Sequence, residues 1–79
     1  MLQILLLVVV LNKNSKISVV IPVYMAEVMI EELLSKVVEN LKLISDDYEI
    51  ILVDDYSTDR TWEKISNLKK LFSEIIGLK

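Results

Sequence analysis

A small α/β domain built on a parallel sheet is the fold class this sequence predicts, and three observations carry that prediction. Two runs dense in β-branched residues, "ISVVIPVY" (Ile17 to Tyr24) and "YEIILVDD" (Tyr48 to Asp55), have the composition of strands. Each is followed by a stretch whose apolar residues recur at spacings of three and four, the signature of a helix with one buried face. A last short apolar run, "EIIGLK" (Glu74 to Lys79), closes the chain as a further strand. Strand, helix, strand, helix, strand with short connections argues for parallel strands joined by right-handed crossovers.

Composition limits what such a domain can do. At 79 residues the chain is one small unit, and with 53% hydrophobic residues it is too apolar for a disordered segment. It has no cysteine and no histidine, so disulfide scaffolds, thiolate metal sites and histidine-based catalytic triads are excluded. A net charge of −3, with nine basic residues scattered along the chain, leaves no electrostatic footprint for a phosphate backbone, and nucleic acid is not an expected partner.

Residues 1–15 read as an apolar leader and a polar loop, and residues 16–79 as the βαβαβ unit. "LQILLLVVVL" (Leu2 to Leu11) is ten residues of nearly unbroken apolar character, against roughly twenty needed for a membrane-spanning helix. Basic residues follow this run, at Lys13 and Lys16, and no Ala-x-Ala cleavage pattern succeeds it, which fits a secretory signal poorly. Val8, Val9 and Val10 favour a buried strand, with a signal-like or membrane-contacting segment as the other reading, and "NKNSK" (Asn12 to Lys16) is a polar loop.

Within the βαβαβ unit, the first strand ends at the only proline, a position that suits a strand end better than its middle. Ile30, Leu33, Leu34, Val37, Val38, Leu41 and Ile44 share one face of a helix over roughly residues 27 to 44. Glu27, Glu31 and Glu32 in its early turns and Lys36 and Lys42 later complement the helix dipole. "YEIILVDD" reads as a central strand covered on both faces by helices. Ser57 or Thr58 can cap the second helix, with Asp59 near its start, and Trp62, Ile65, Leu68, Leu71 and Phe72 form its apolar stripe. Trp62 belongs to the core on this spacing, and Arg60 is a surface group.

The adjacent acids Asp54 and Asp55 raise the functional question. They leave the end of a buried strand, and in parallel α/β sheets ligands bind outside the carboxyl ends of the strands. Two carboxylates there cost desolvation and mutual repulsion unless a ligand, a metal or a donor-rich loop compensates them. The other reading is that one aspartate caps the loop amides while its neighbour is solvated. Adjacent residues on a strand point to opposite faces, so the pair makes a poor chelate.

"KISVVIPVY", the helix opening "IEELL", "DDYEIILVDDYSTDRTW" and "IIGLK", in that order, resemble the start of family 2 glycosyltransferases, in particular the polyprenyl-phosphate sugar transferases of the dolichol-phosphate mannosyltransferase kind. The resemblance covers Lys16 to Lys79. It implies the Rossmann-like βαβαβ half of a GT-A nucleotide-sugar domain, truncated, in which the first strand end and the acidic pair grip the nucleoside of a UDP- or GDP-sugar. Carried over by position, Pro22, Val23 and Tyr24 line the base and ribose, and Asp54 or Asp55 accepts hydrogen bonds from them. Glu27, Val53, Ser57 and Asp59 are secondary candidates. The family pattern follows Pro-x-Tyr with Asn-Glu, where this chain has Met25 and Ala26. Glu27, one position on, would point about 100° away on a helix. Tyr56 stands where the pattern has glycine, at an energetic cost if that turn needs positive φ.

The resemblance also implies that the metal-binding Asp-x-Asp, the catalytic base and the acceptor site lie beyond the equivalent of Lys79. No catalytic or metal residue is therefore expected within this chain, and the chain alone is expected to be inactive. The complete enzyme would use Mg²⁺ or Mn²⁺, pass a sugar to a polyprenyl or dolichyl phosphate, and work in the cytoplasm or at the cytoplasmic face of a membrane. Two other readings compete. A phosphoacceptor receiver domain also places acids after a buried strand, but after its first strand, with further functional residues well downstream. A catalytically inactive remnant, or an interaction module that self-associates through an exposed sheet edge, is the other.

Overall fold

The computed structural model describes residues 8–11 and 16–79, with side chains from Lys16 onward. The elements run β1 (Val8–Leu11), β2 (Ile17–Val23), α1 (Ile30–Leu41), β3 (Tyr48–Asp54), α2 (Thr61–Leu71) and β4 (Ile75–Leu78). They form one sheet in the order β1-β2-β3-β4, in which β2, β3 and β4 are parallel and β1 is antiparallel to β2. The expected Rossmann-like βαβαβ unit is therefore present. The strand expected in the leader is found at Val8–Leu11; residues 2–7 and the loop at 12–15 lie outside the described residues. A connection too short for a crossover leaves β1 only the antiparallel pairing with β2.

Each strand of the parallel unit alternates. Ile17, Val19, Ile21 and Val23 of β2, Ile50 and Leu52 of β3 and Ile75 of β4 are buried, and they meet Ile30, Leu34, Val38 and Leu41 of α1 and Ile65 and Leu68 of α2 in one core. Both helices thus cover the same face of the sheet, as two crossovers of one hand produce when the strands step in one direction. The expectation that β3 is covered on both faces needs correction: Ile51 and Val53, on the other face, are only half-buried. That face, left bare by the described residues, also carries Ser18, whose hydroxyl donates to Glu49 Oε2 at 2.6 Å, and the exposed Ile76 and Leu78 of the edge strand β4.

Pro22 lies one residue inside the end of β2. The Asp55 N–H donates to the Val23 carbonyl at 3.0 Å, so the polar groups of Val23 face β3 and the nitrogen of Pro22 faces away from it. No bond between β2 and β3 is lost to the proline.

Helix α1 is shorter than its periodicity suggests. It starts at Ile30, after a turn at residues 27–29, and the amides of Ala26 and Glu27 bond across to Thr61 at the start of α2 and to Asp59 before it. The Ala26 carbonyl accepts from the N–H groups of Met29 and Ile30. At the other end Leu41 is the last helical residue, and Leu43 and Ile44, the latter expected on the buried stripe, are exposed. Helix α2 keeps Ile65 and Leu68 inward with Trp62 and Phe72 packed against the core. Leu71 is exposed, because the chain leaves the helix there and extended Phe72 takes the inward place.

The single glycine marks a close approach between sheet and helix. A Cβ at Gly77 would stand 2.7 Å from Ile65 Cγ2 and 3.5 Å from the Trp62 ring. Ile65 is fully buried and β-branched, so its χ1 cannot swing aside within a helix. Gly77→Ala is expected to destabilise the domain by about 1–3 kcal/mol through overpacking of α2 against β4. Urea denaturation measures this, with an unchanged midpoint as the contrary result.

Candidate functional site

The parallel pairing of β2 with β3 sets Val23 beside Asp54, so the loop after Tyr24 and the acidic pair emerge on the same rim of the sheet. The two loops are stitched to each other rather than merely adjacent. Met25 N–H donates to Ser57 Oγ and Ala26 N–H to Thr61 Oγ1, each at 2.8 Å. Glu27 N–H donates to Asp59 Oδ2 at 3.2 Å, and in return Arg60 N–H donates to Glu27 Oε1 at 3.2 Å.

At the centre of this clasp is Thr61, wholly buried at the first position of α2. Its hydroxyl accepts from Ala26 N–H and donates to Asp59 Oδ1, while its own N–H also donates to Asp59 Oδ1 at 3.0 Å. Asp59, just before the N-cap Arg60, thereby satisfies the first amide of α2. Ser57 and Thr58, expected in that role, do not: the Ser57 hydroxyl is engaged by Met25 N–H and that of Thr58 donates to Met25 Sδ at 3.4 Å. The hydrogen bond from the Thr61 hydroxyl, with those from the amides, holds the Asp59 carboxyl below its usual range. A depressed carboxyl contributes stability that is complete above its unfolded value and is lost as the pH falls through the folded one.

Asp54 and Asp55 diverge, as their strand positions require. Asp54 turns toward the helix-covered face and is 2% exposed; its Oδ1 accepts from Ser57 N–H at 3.1 Å and its Oδ2, also buried, has no partner among the described residues. Asp55 is exposed. One carboxylate therefore caps the loop and retains a free acceptor oxygen, and its neighbour is solvated.

The remaining sequence candidates separate by burial. Pro22 and Val53 are register partners on the bare face, both half-buried, and Tyr24 is exposed on the rim. Val23 is placed differently from the expectation that it lines a base: its side chain is in the core, because it shares the parity of Ile21, and only its backbone reaches the rim. Glu27, Ser57 and Asp59 meet at the rim with their polar atoms committed to loop amides, so they build it. The guanidinium of Arg60 is engaged by Glu63 through two hydrogen bonds at 3.2 and 2.6 Å on the surface.

Two rim residues hold left-handed backbone: Met25 at φ 51 and Tyr56 at φ 57. The turn at Tyr56 does need positive φ, which costs a non-glycine residue about 1–2 kcal/mol. Among the described residues no group of three or more acidic side chains is placed to hold a metal ion, and Asp54 and Asp55 point apart, so these residues do not fit a cation site. A groove of about 270 Å³ lined by Ser35, Val38, Glu39, Lys42 and Phe72 lies at the opposite end of α1 and takes no part in the rim. No helix of the described residues is long and apolar enough to cross a membrane.

Sheet, rim and acidic pair define a Rossmann-like α/β unit with parallel strands β2 to β4. Residues 18–79 match the model of glycosyl transferase family 2, and the chain belongs to that family. Similar curated proteins include the poly(ribitol-phosphate) beta-glucosyltransferase of Bacillus spizizenii, 44% identical over 77% of this chain and 10% of that protein. The dolichol-phosphate mannosyltransferase of Pyrococcus furiosus is 44% identical over 72% of this chain and 16% of its own length. An undecaprenyl-phosphate 4-deoxy-4-formamido-L-arabinose transferase of Aeromonas hydrophila is 47% identical over 78% and 19%. The chain thus spans between a tenth and a fifth of the length of these relatives. No solved structure matches it.

Thr61 was not singled out by sequence reasoning, although the Asp-x-Thr spacing at a helix start is a legible capping signal. Thr61→Val, which keeps the shape and removes the hydroxyl, leaves the buried Ala26 N–H without an acceptor and is expected to cost about 1–3 kcal/mol. Thr61→Ser should recover most of the loss in the same denaturation measurement.

Proposed function

We propose that this chain is the nucleoside-binding part of a glycosyltransferase that takes a sugar from a UDP- or GDP-sugar and passes it to a polyprenyl or dolichyl phosphate. The observation that carries this reading is the buried Oδ2 of Asp54, without a partner among the described residues, on the rim where β2 and β3 end. A carboxylate oxygen so placed has lost its water and gained no donor, which is costly unless a ligand supplies one. A base N–H or ribose hydroxyl is such a donor, and its bond to a carboxylate in a sheltered site is strong. Pro22 and Tyr24 are the flanking surfaces for base and ribose, and Asp55 is the second acceptor.

Family membership supports the transfer reaction, and two of the three relatives described carry a polyprenyl phosphate in their names, which supports that acceptor class. In this reading a divalent cation and the acceptor are held by parts of the enzyme other than the rim described here, and the reaction takes place at the cytoplasmic face of a membrane. The described residues bind and orient the nucleoside and do no proton transfer.

Titration with UDP and GDP, with and without Mn²⁺, tests the proposal. Asp54→Asn keeps an oxygen for the Ser57 amide and removes the charge, and is expected to weaken nucleotide binding about tenfold or more, in line with the worth of a charged hydrogen bond. Equal binding by the variant and the parent, or none by the parent, overturns it.

A second reading has its own support. Val20, Ile51 and Val53 are half-buried on the bare face, Ile76 and Leu78 are exposed there, and β4 is an edge strand. In the 79-residue chain this surface would pair with a second copy. Sedimentation is expected to show a dimer or larger species that Ile76→Lys disperses, whereas a monomer at high concentration contradicts self-association.

A further inference from the structure

Tyr56 and Met25 are at odds with their own backbone. Each sits in one of the two rim loops, and both hold the left-handed conformation that glycine adopts freely and a side chain resists. Such residues persist where the surroundings over-determine them, and they concentrate at ligand-binding sites. The surroundings here do so: Met25 N–H is tied to Ser57 Oγ, and Tyr56 lies inside the turn closed by the bond from Ser57 N–H to Asp54 Oδ1.

The clasp explains the backbone and not the side chains. Tyr56 is 83% exposed and Met25 44% exposed, so neither is packed in the core as compensation for its strain. Met25 reaches toward the opposite loop, where its sulfur accepts from the Thr58 hydroxyl. Asp54, which closes the turn that contains Tyr56, has a buried Oδ2 with no partner among the described residues. A free aromatic face and a polarisable thioether on the two loops of the rim that also carries this acceptor suit one class of ligand, a flat heterocycle that carries N–H donors.

Resting on the nucleoside-binding reading above, we propose that Tyr56 stacks on the nucleobase and Met25 packs against the same ring, so that these two strained residues supply base affinity at the rim. Stacking of this kind tolerates different bases, because every base presents a π face. The strain then has a function, since the side chains are kept for the ligand at the expense of the fold.

This makes stability and affinity move in opposite directions, and the full 79-residue chain can be used to test it. Tyr56→Gly and Met25→Asn each relieve the left-handed position and are expected to raise the melting temperature. At the same time Tyr56→Gly should weaken GDP and UDP binding by about tenfold, Met25→Asn by a smaller factor, and Tyr56→Phe should bind as the parent does. A Tyr56→Gly chain that melts higher and binds as tightly as the parent overturns the proposal, as does one that loses melting temperature and affinity together, which would make the ring a support for the loop. If the parent binds and Asp54→Asn does not, an unaffected Tyr56→Gly sinks this inference alone. A parent that binds neither nucleotide removes both this inference and the reading beneath it.

Discussion

The buried hydroxyl of Thr61 is the constraint on which the rim depends. Ala26 must leave β2 and turn back into α1, and its amide is covered by the start of α2, where no water can reach it and no backbone carbonyl is offered. One side-chain oxygen meets that need, and Asp59 fixes the orientation of that oxygen by accepting its proton. Once this bond is set, the amides on either side, Met25 and Glu27, fall opposite Ser57 and Asp59. The polar cluster "STDRT" after the acidic pair is therefore chiefly an interloop adhesive, and the surface that can meet a ligand is what the adhesive leaves over: Tyr24, Met25, Asp55, Tyr56 and the spare oxygen of Asp54.

Most of the architecture was legible because it follows from periodicity. Density of β-branched residues identified β2 and β3, spacings of three and four identified both helices, and short connections argued for parallel crossovers. The errors have local causes. The stripe of α1 continues to Ile44, but hydrophobic spacing cannot report that the amides at one end are claimed by another loop or that the chain turns away at the other. The continuous apolar run of β3 suggested cover on two faces, whereas Ile51 and Val53 look out from a face that the two helices leave bare.

For the site, legibility stops at the point where long-range hydrogen bonds take over. Asp54 and Asp55 were recognisable as divergent from strand parity alone, and the cost of a tyrosine in a glycine-like turn was recognisable at Tyr56. That Met25 shares this conformation was not, since nothing near it in sequence demands positive φ; the demand comes from Ser57, thirty-two residues away. Likewise, sequence spacing does not reveal that α2 begins only at Thr61, with Arg60 as its N-cap, which leaves Ser57 and Thr58 too far upstream to cap it.

The links across the rim join residues separated by 32 to 35 positions, and none of them is made within a single loop and helix. No isolated peptide cut from either half can hold this surface, because the entropy of closing so long a loop is offset only after β2 and β3 have paired. Recognition at the rim is in this sense a late product of chain collapse, and occupancy of the rim reports on completed folding of the whole sheet rather than on the order of its loops.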